Sequence, residues 1–173
     1  MVIVITGPIA SGKSTVAREL ARELERRGFR AAVIDLDLVH DELVHGSLSD
    51  DATWTLARRR AADAANAFLD DGFAVVIAEG SFNAPSDRGA FAARLRPTDH
   101  PRYVTLLISF DEALRRAQGD PTRGRSRDPG FLGPYFAAWR DQHATAPATD
   151  IVIDTERTTA TAAAATIAGA VGR

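Results

Sequence analysis

Gly7-Pro8-Ile9-Ala10-Ser11-Gly12-Lys13-Ser14-Thr15 reads G-x-x-x-x-G-K-S-T. Gly7 and Gly12 let the backbone curl until successive N–H groups point inward, which makes a cradle for phosphate oxygens. Lys13 at this spacing reaches the β- and γ-phosphates of a nucleoside triphosphate, and the Ser14 hydroxyl can ligate Mg²⁺. The flanks supply the required context. Val2-Ile3-Val4-Ile5 is a short β-branched run that predicts a buried strand. Val16, Ala17, Leu20 and Leu24 then recur at helical spacing. A helix starting at the loop adds its dipole to anion binding. Gly7, Ala10, Ser11, Gly12, Lys13, Ser14 and Thr15 are therefore assigned to the nucleotide. Lys13 is the single lysine in a chain with twenty arginines. It stands where a compact point charge on a flexible stem is wanted.

Other residues able to do chemistry follow apolar runs. Asp35 and Asp37 close Ala31-Ala32-Val33-Ile34. One carboxylate could orient Mg²⁺-bound water, the role assigned to Asp35. Asp37 is assigned as the base that accepts a proton from an attacking hydroxyl; the competing role is a helix cap. Glu79-Gly80-Ser81 follows Ala74-Val75-Val76-Ile77-Ala78. Glu79 sits where an acidic residue could hold Mg²⁺ through water or hold substrate, and Gly80 permits a close approach. Glu79, Gly80 and Ser81 are substrate-site candidates, with Asn83 a weaker one. Arg115, Arg116, Arg123, Arg125 and Arg127 cluster around a loop punctuated by Gly119, Gly124 and Gly130. Guanidinium forks match phosphate oxygens and stabilise charge that develops in transfer. Residues 119–130 are read as a lid, with Arg123 and Arg127 catalytic and Arg116 stacking on adenine. Arg58-Arg59-Arg60 is read as a solvated face. His40 and His45 are off the i, i+4 spacing of a helical metal pair and are pocket candidates only. Trp54 and Trp139 are read as packing residues, with walling a pocket as the alternative.

Positioning these residues requires strands that alternate with helices. The pattern predicts strands at 2–6, 31–35, 74–78, 103–108 and 150–154. Helices are predicted at 12–27, after residue 35, at 52–70, from after Pro85-Ser86-Asp87 to about residue 96, and at 111–118, 131–143 and 157–171. Such alternation implies an α/β parallel sheet covered on both faces, with ligands at the carboxyl ends of the strands. The 74–78 run is the most apolar and is nominated for the sheet centre.

A length of 173 residues suits one domain. A net charge of −2 gives no basic field for nucleic acid, and no stretch approaches a membrane span. Cysteine is absent, which excludes disulfides and thiolate metal sites. A cytoplasmic monomer or dimer is expected.

Taken together, the chain resembles the P-loop small-molecule kinases, in the branch with shikimate kinase, gluconate kinase, adenylylsulfate kinase and chloramphenicol phosphotransferase. The resemblance runs from Gly7–Thr15 through Asp35-Leu36-Asp37, Arg115–Arg127 and Asp154-Thr155. It implies a three-layer P-loop fold with a five-stranded sheet in order 2-3-1-4-5, over residues 1–173 as one kinase domain. It also implies that ATP and Mg²⁺ are used, that Asp37 meets the substrate hydroxyl, and that Thr155 borders adenine. The three-arginine carboxylate site of shikimate kinase has no evident counterpart, so no single substrate follows. A nucleoside or nucleotide kinase is the nearest alternative, and a regulatory nucleotide-binding ATPase the alternative from another class. No Asn-Lys-x-Asp guanine motif and no ABC-type signature is present.

Overall fold

The computed structural model describes residues 1–44, 50–145 and 151–171. Ordered along the chain, the elements are β1 (Val2–Thr6), α1 (Lys13–Arg26), β2 (Ala31–Asp35), α2 (Leu36–Val44), α3 (Asp51–Asp70), β3 (Val75–Glu79), α4 (Pro85–Ala92), β4 (Arg102–Leu107), α5 (Phe110–Gly119), α6 (Pro129–Ala144), β5 (Ile151–Asp154) and α7 (Ala160–Val171). A short 3₁₀ turn, Arg125–Arg127, links α5 to α6. The interruption expected near Gly46-Ser47, and His45 with it, lie outside the described residues.

All pairings are parallel and the strand order is β2-β3-β1-β4-β5, as expected. Because side chains alternate across a strand, each strand splits its apolar residues between two cores. Ile3, Ile5 and Ile77 face α1 and α7, packing on Val16, Leu20, Leu24 and Ile167. Val2, Val4 and Val76 face α3 and α4, packing on Ala57, Ala61, Ala65 and Phe91. Burial on both faces explains why the strands read as continuous apolar runs. The central strand is β1 rather than β3; both are buried along their whole length, so apolarity alone does not rank them.

Register levels the site. Asp35 pairs with Glu79, and Glu79 with Ile5. The carboxyl ends of β2, β3 and β1 therefore form one rim, and the phosphate loop rises from its middle. Gly80 joins that rim to α2. It adopts φ +148°, and a Cβ there would lie 2.5 Å from Leu36 Cβ. Leu36 is fully buried and cannot move aside. Gly80→Ala is expected to cost about 2–4 kcal/mol through strain and overpacking, read as a lower urea midpoint. An unchanged midpoint would mean the β3–α2 contact is loose.

Candidate active site

Loop geometry follows from its residues. Gly7 and Gly12 have φ +148° and +91°. A Cβ on Gly7 would sit 2.5 Å from the Leu106 carbonyl oxygen, so β4 backs the loop closely. Ala10, with φ +63°, also occupies the left-handed region, a strain of about 1–2 kcal/mol for a residue with a Cβ. The Ser11 hydroxyl is buried without a hydrogen-bond partner. An orphaned donor inside a curl of backbone N–H groups is what a phosphate oxygen would satisfy. Lys13 Nζ donates to the carbonyls of Gly7 at 3.1 Å and Pro8 at 3.2 Å. Burial lowers the lysine's pKa, while the charges of Glu79 and Asp37 work against that shift.

Three carboxylates face this lysine. Asp35 Oδ1 accepts from the backbone N–H of Asp37 at 2.9 Å and of Leu38 at 3.3 Å. Asp35 thus caps α2, which leaves Asp37 in the first helical turn free of that duty. Asp37 is open on its cleft side, yet burial of the rest pushes its carboxyl up, against the pull of Lys13. Glu79 is 3% exposed and its carboxyl is pushed up to about 7, chiefly by burial, although the Ser14 hydroxyl bonds to it. Among the described residues no three His, Cys, Asp or Glu side chains converge as a cage for a metal. That donor set fits Mg²⁺, which keeps several waters and takes one or two carboxylates plus substrate phosphates.

Beside the loop lies a cavity of about 390 Å³, lined by Ala10, Gly12, Thr15, Arg116, Arg123 and Thr155 among others. Arg116 is fixed there by Glu112 at 2.7 Å and the Thr155 carbonyl at 2.7 Å. Thr155 is itself anchored through its hydroxyl to the Leu107 carbonyl at 3.0 Å. Arg123 pairs with Asp120 at 3.2 Å, and its charge is felt by Lys13. Arg127 is not among the residues lining this cavity; its guanidinium points to the Gln118 carbonyl, 3.5 Å away. The structure thus brings Arg116, Arg123 and Thr155 to the loop and leaves Arg127 outside. The 119–130 segment is less of a free loop than expected, since α5 ends at Gly119, the 3₁₀ turn occupies its centre and Asp128 caps α6.

A second cavity, of about 500 Å³, opens between α3, the β3–α4 loop and α6. One expectation needs correction here. Arg58 is not part of a solvated face: it is 7% exposed. Its Nε and Nη2 donate to the Ser81 carbonyl at 3.0 and 2.9 Å. Only Arg59 and Arg60 are exposed. The signal was available: Arg58 lies three and seven residues before Ala61 and Ala65, so it shares the small-residue stripe that α3 turns to the sheet. Tyr135 was also missed. It lies within reach of Ser81, Asn83 and the Ile9 backbone, and it feels the charge of Asp37. Asn83 Oδ1 accepts from Thr6 Oγ1 at 2.9 Å, which turns its amide nitrogen away from β1. Trp54, which lines this cavity, stacks on His40 with ring centroids 3.8 Å apart.

The family model described as an AAA domain matches residues 2–144. The chain belongs to the AAA domain family. This AAA domain is 35% identical over 77 residues to an adenylyl-sulfate kinase of Burkholderia ambifaria, a match covering 44% of the chain and 42% of that relative's length. Its fold is shared with an APS kinase of Mycobacterium tuberculosis solved with AMPPNP and APS (TM-score 0.68, 19% identity, 99% of this chain and 97% of that one). It is shared as well with a shikimate kinase of Acinetobacter baumannii solved with shikimate (TM-score 0.61, 17% identity, 98% and 92%). The AAA domain therefore has the P-loop kinase fold. Among the described residues no helix is long and apolar enough to cross a membrane.

Proposed function

We propose that the chain is an ATP-dependent kinase, one domain over 1–173, that moves the γ-phosphoryl group to a hydroxyl of a small molecule. One arrangement carries this reading: a cavity of about 390 Å³ is lined by the phosphate loop, and a second, of about 500 Å³, is lined by Tyr135, which feels the charge of Asp37. The first suits a nucleotide over the phosphate loop, the second an acceptor. The partial match to an adenylyl-sulfate kinase supports the same class of reaction.

Lys13, the loop N–H groups and Ser11 hold the phosphates and oppose the charge that accumulates on the moving group. Asp37 accepts the proton of the attacking hydroxyl; its raised carboxyl lies nearer neutral pH, which strengthens it as a base. Ser14, with Asp35 and Glu79 behind it, would hold Mg²⁺, which supplies Lewis-acid neutralisation of the phosphates when bound. Tyr135 joins acceptor cavity to loop through Ile9. Arg116 and Thr155 border the base, and Arg123 brings a guanidinium over the phosphates from the 119–130 lid.

Because Arg123 lines the nucleotide cavity and Arg127 does not, the two lid arginines separate experimentally. Arg123→Ala is expected to lower kcat about 10- to 100-fold, and Arg127→Ala by less than about threefold. Equal losses in the two would reverse the assignment of Arg123 as the charge-stabilising group. The reading as a whole is tested by ADP release across a panel of hydroxyl-bearing metabolites, nucleosides and antibiotics. Acceptor-dependent release supports a kinase, and nucleoside-only release selects the nucleoside kinase. ATP hydrolysis that no acceptor stimulates would leave the regulatory ATPase instead.

A further inference from the structure

The second cavity carries a charge pattern that speaks to the class of acceptor, an inference resting on the kinase reading above. Asp51, Trp54, Arg58, Asn83, Asp87 and Tyr135 are among its lining residues. Arg58 is the one cation in that lining, and it is already engaged. Besides the Ser81 carbonyl, its Nη2 meets Asp87 Oδ1 at 3.1 Å. Asp87 in turn holds the loop, since its Oδ2 accepts from the backbone N–H of Asn83 at 3.1 Å and Ala84 at 3.0 Å. Guanidinium and carboxylate form a neutral buried unit welded to backbone. Turning Arg58 toward an acceptor's carboxylate or phosphate would strand Asp87 and the Ser81 carbonyl, at the cost that attends a broken buried pair.

What remains is negative. Asp51 lines the cavity and makes no ion pair among the described residues. It sits in the first turn of α3, where the helix dipole favours its anion. Asp37 is not in this lining, but its charge is felt by Tyr135, which is. Neutral polar groups complete the wall: Asn83 and Gln142 as amides, Thr55 and Ser86 as hydroxyls. Aromatic faces with scattered amides and hydroxyls suit a ring that bears several hydroxyl groups.

We infer that the acceptor is a polyhydroxyl compound carrying an amine rather than an acid, with its ammonium group placed against Asp51. In the reaction the acceptor hydroxyl oxygen bonds to the γ-phosphorus and the bond to the β-phosphate oxygen breaks. ADP leaves, and the hydroxyl proton passes to Asp37.

A matched series tests the charge alone: 6-amino-6-deoxyglucose, glucose and glucuronate, which differ only at one carbon, alongside amino, hydroxy and carboxy analogues of the best acceptor from the ADP-release panel. The expected order of kcat/KM is amine above neutral above acid, with each step about five- to tenfold. Acid at or above neutral, or amine below neutral, overturns the inference. Thermal shift with the same series and a non-hydrolysable ATP analogue separates the two claims. If nothing is phosphorylated but amines still stabilise the protein most, the kinase reading fails and the charge preference stands. Stabilisation by acids, or by none of the three, sinks the preference. Asp51→Asn should reduce the amine-to-neutral ratio to about one, while Asp51→Glu should retain it. An unchanged ratio in Asp51→Asn removes the ammonium from that carboxylate.

Discussion

Lys13→Ala is expected to lower kcat/KM for the proposed ATP-dependent transfer by about 10³-fold or more, with Lys13→Arg failing almost as badly. A single preorganised charge directed at an accumulating oxyanion contributes about 10² to 10³ in rate. Lys13 adds ground-state binding to that term. Arginine does not rescue, because the lysine's stem curls back over the Gly7 and Pro8 carbonyls within a loop whose far wall is the Leu106 carbonyl. A planar fork needs more room than a compact ammonium. Nucleotide titration by calorimetry, paired with single-turnover transfer, separates the two contributions. ATP binding and turnover left intact in Lys13→Ala would remove the phosphate-loop assignment and the kinase reading with it.

Asp37→Asn is expected to reduce kcat about 10²- to 10⁴-fold while ATP affinity stays within about threefold. The structure makes this a cleaner experiment than the sequence promised. Asp35, not Asp37, caps α2, so the amide substitution leaves the helix start intact. The variant's fold is checked by its melting temperature. Loss of ATP affinity in step with kcat would mark Asp37 as structural. The same residue sets a pH limb. A base must be ionised to act, so kcat falls as pH drops through its pKa. Burial raises that pKa, which places the acid limb above the ordinary aspartate range. In Asp37→Asn the residual rate should lose this limb.

Much of the donor half was legible because local covalent pattern determines it. A Gly-x₄-Gly-Lys-Ser loop between an apolar strand and an amphipathic helix has few other solutions. Strand order was available through the resemblance, and the pairing Asp35–Glu79–Ile5 then put the acidic ends on one rim. The acceptor half was less legible because long-range contacts build it. Arg58 looked like one of three adjacent surface cations. Only the tertiary fold puts Ser81 and Asp87, twenty-three and twenty-nine residues on, against its guanidinium. Tyr135 carried no motif at all; it becomes informative when α6 lays it across Asn83 and Ile9. The arginines were visible as a cluster, but which of them lines the cavity beside the phosphate loop depends on a 3₁₀ turn that composition does not specify.

The single lysine has a practical meaning for chemistry done on this protein. With twenty arginines serving the other cationic side-chain positions, Lys13 is the single side-chain amine this sequence offers to amine-directed reagents. Burial lowers the lysine's pKa, so more of it is the neutral, nucleophilic amine than on an ordinary surface lysine. Acylating or reductively alkylating its side-chain amine therefore titrates its phosphate loop. Coupling through side-chain amines to a sensor surface would capture the molecule by the group it needs, whereas arginine- or carboxylate-directed chemistry would leave that group untouched.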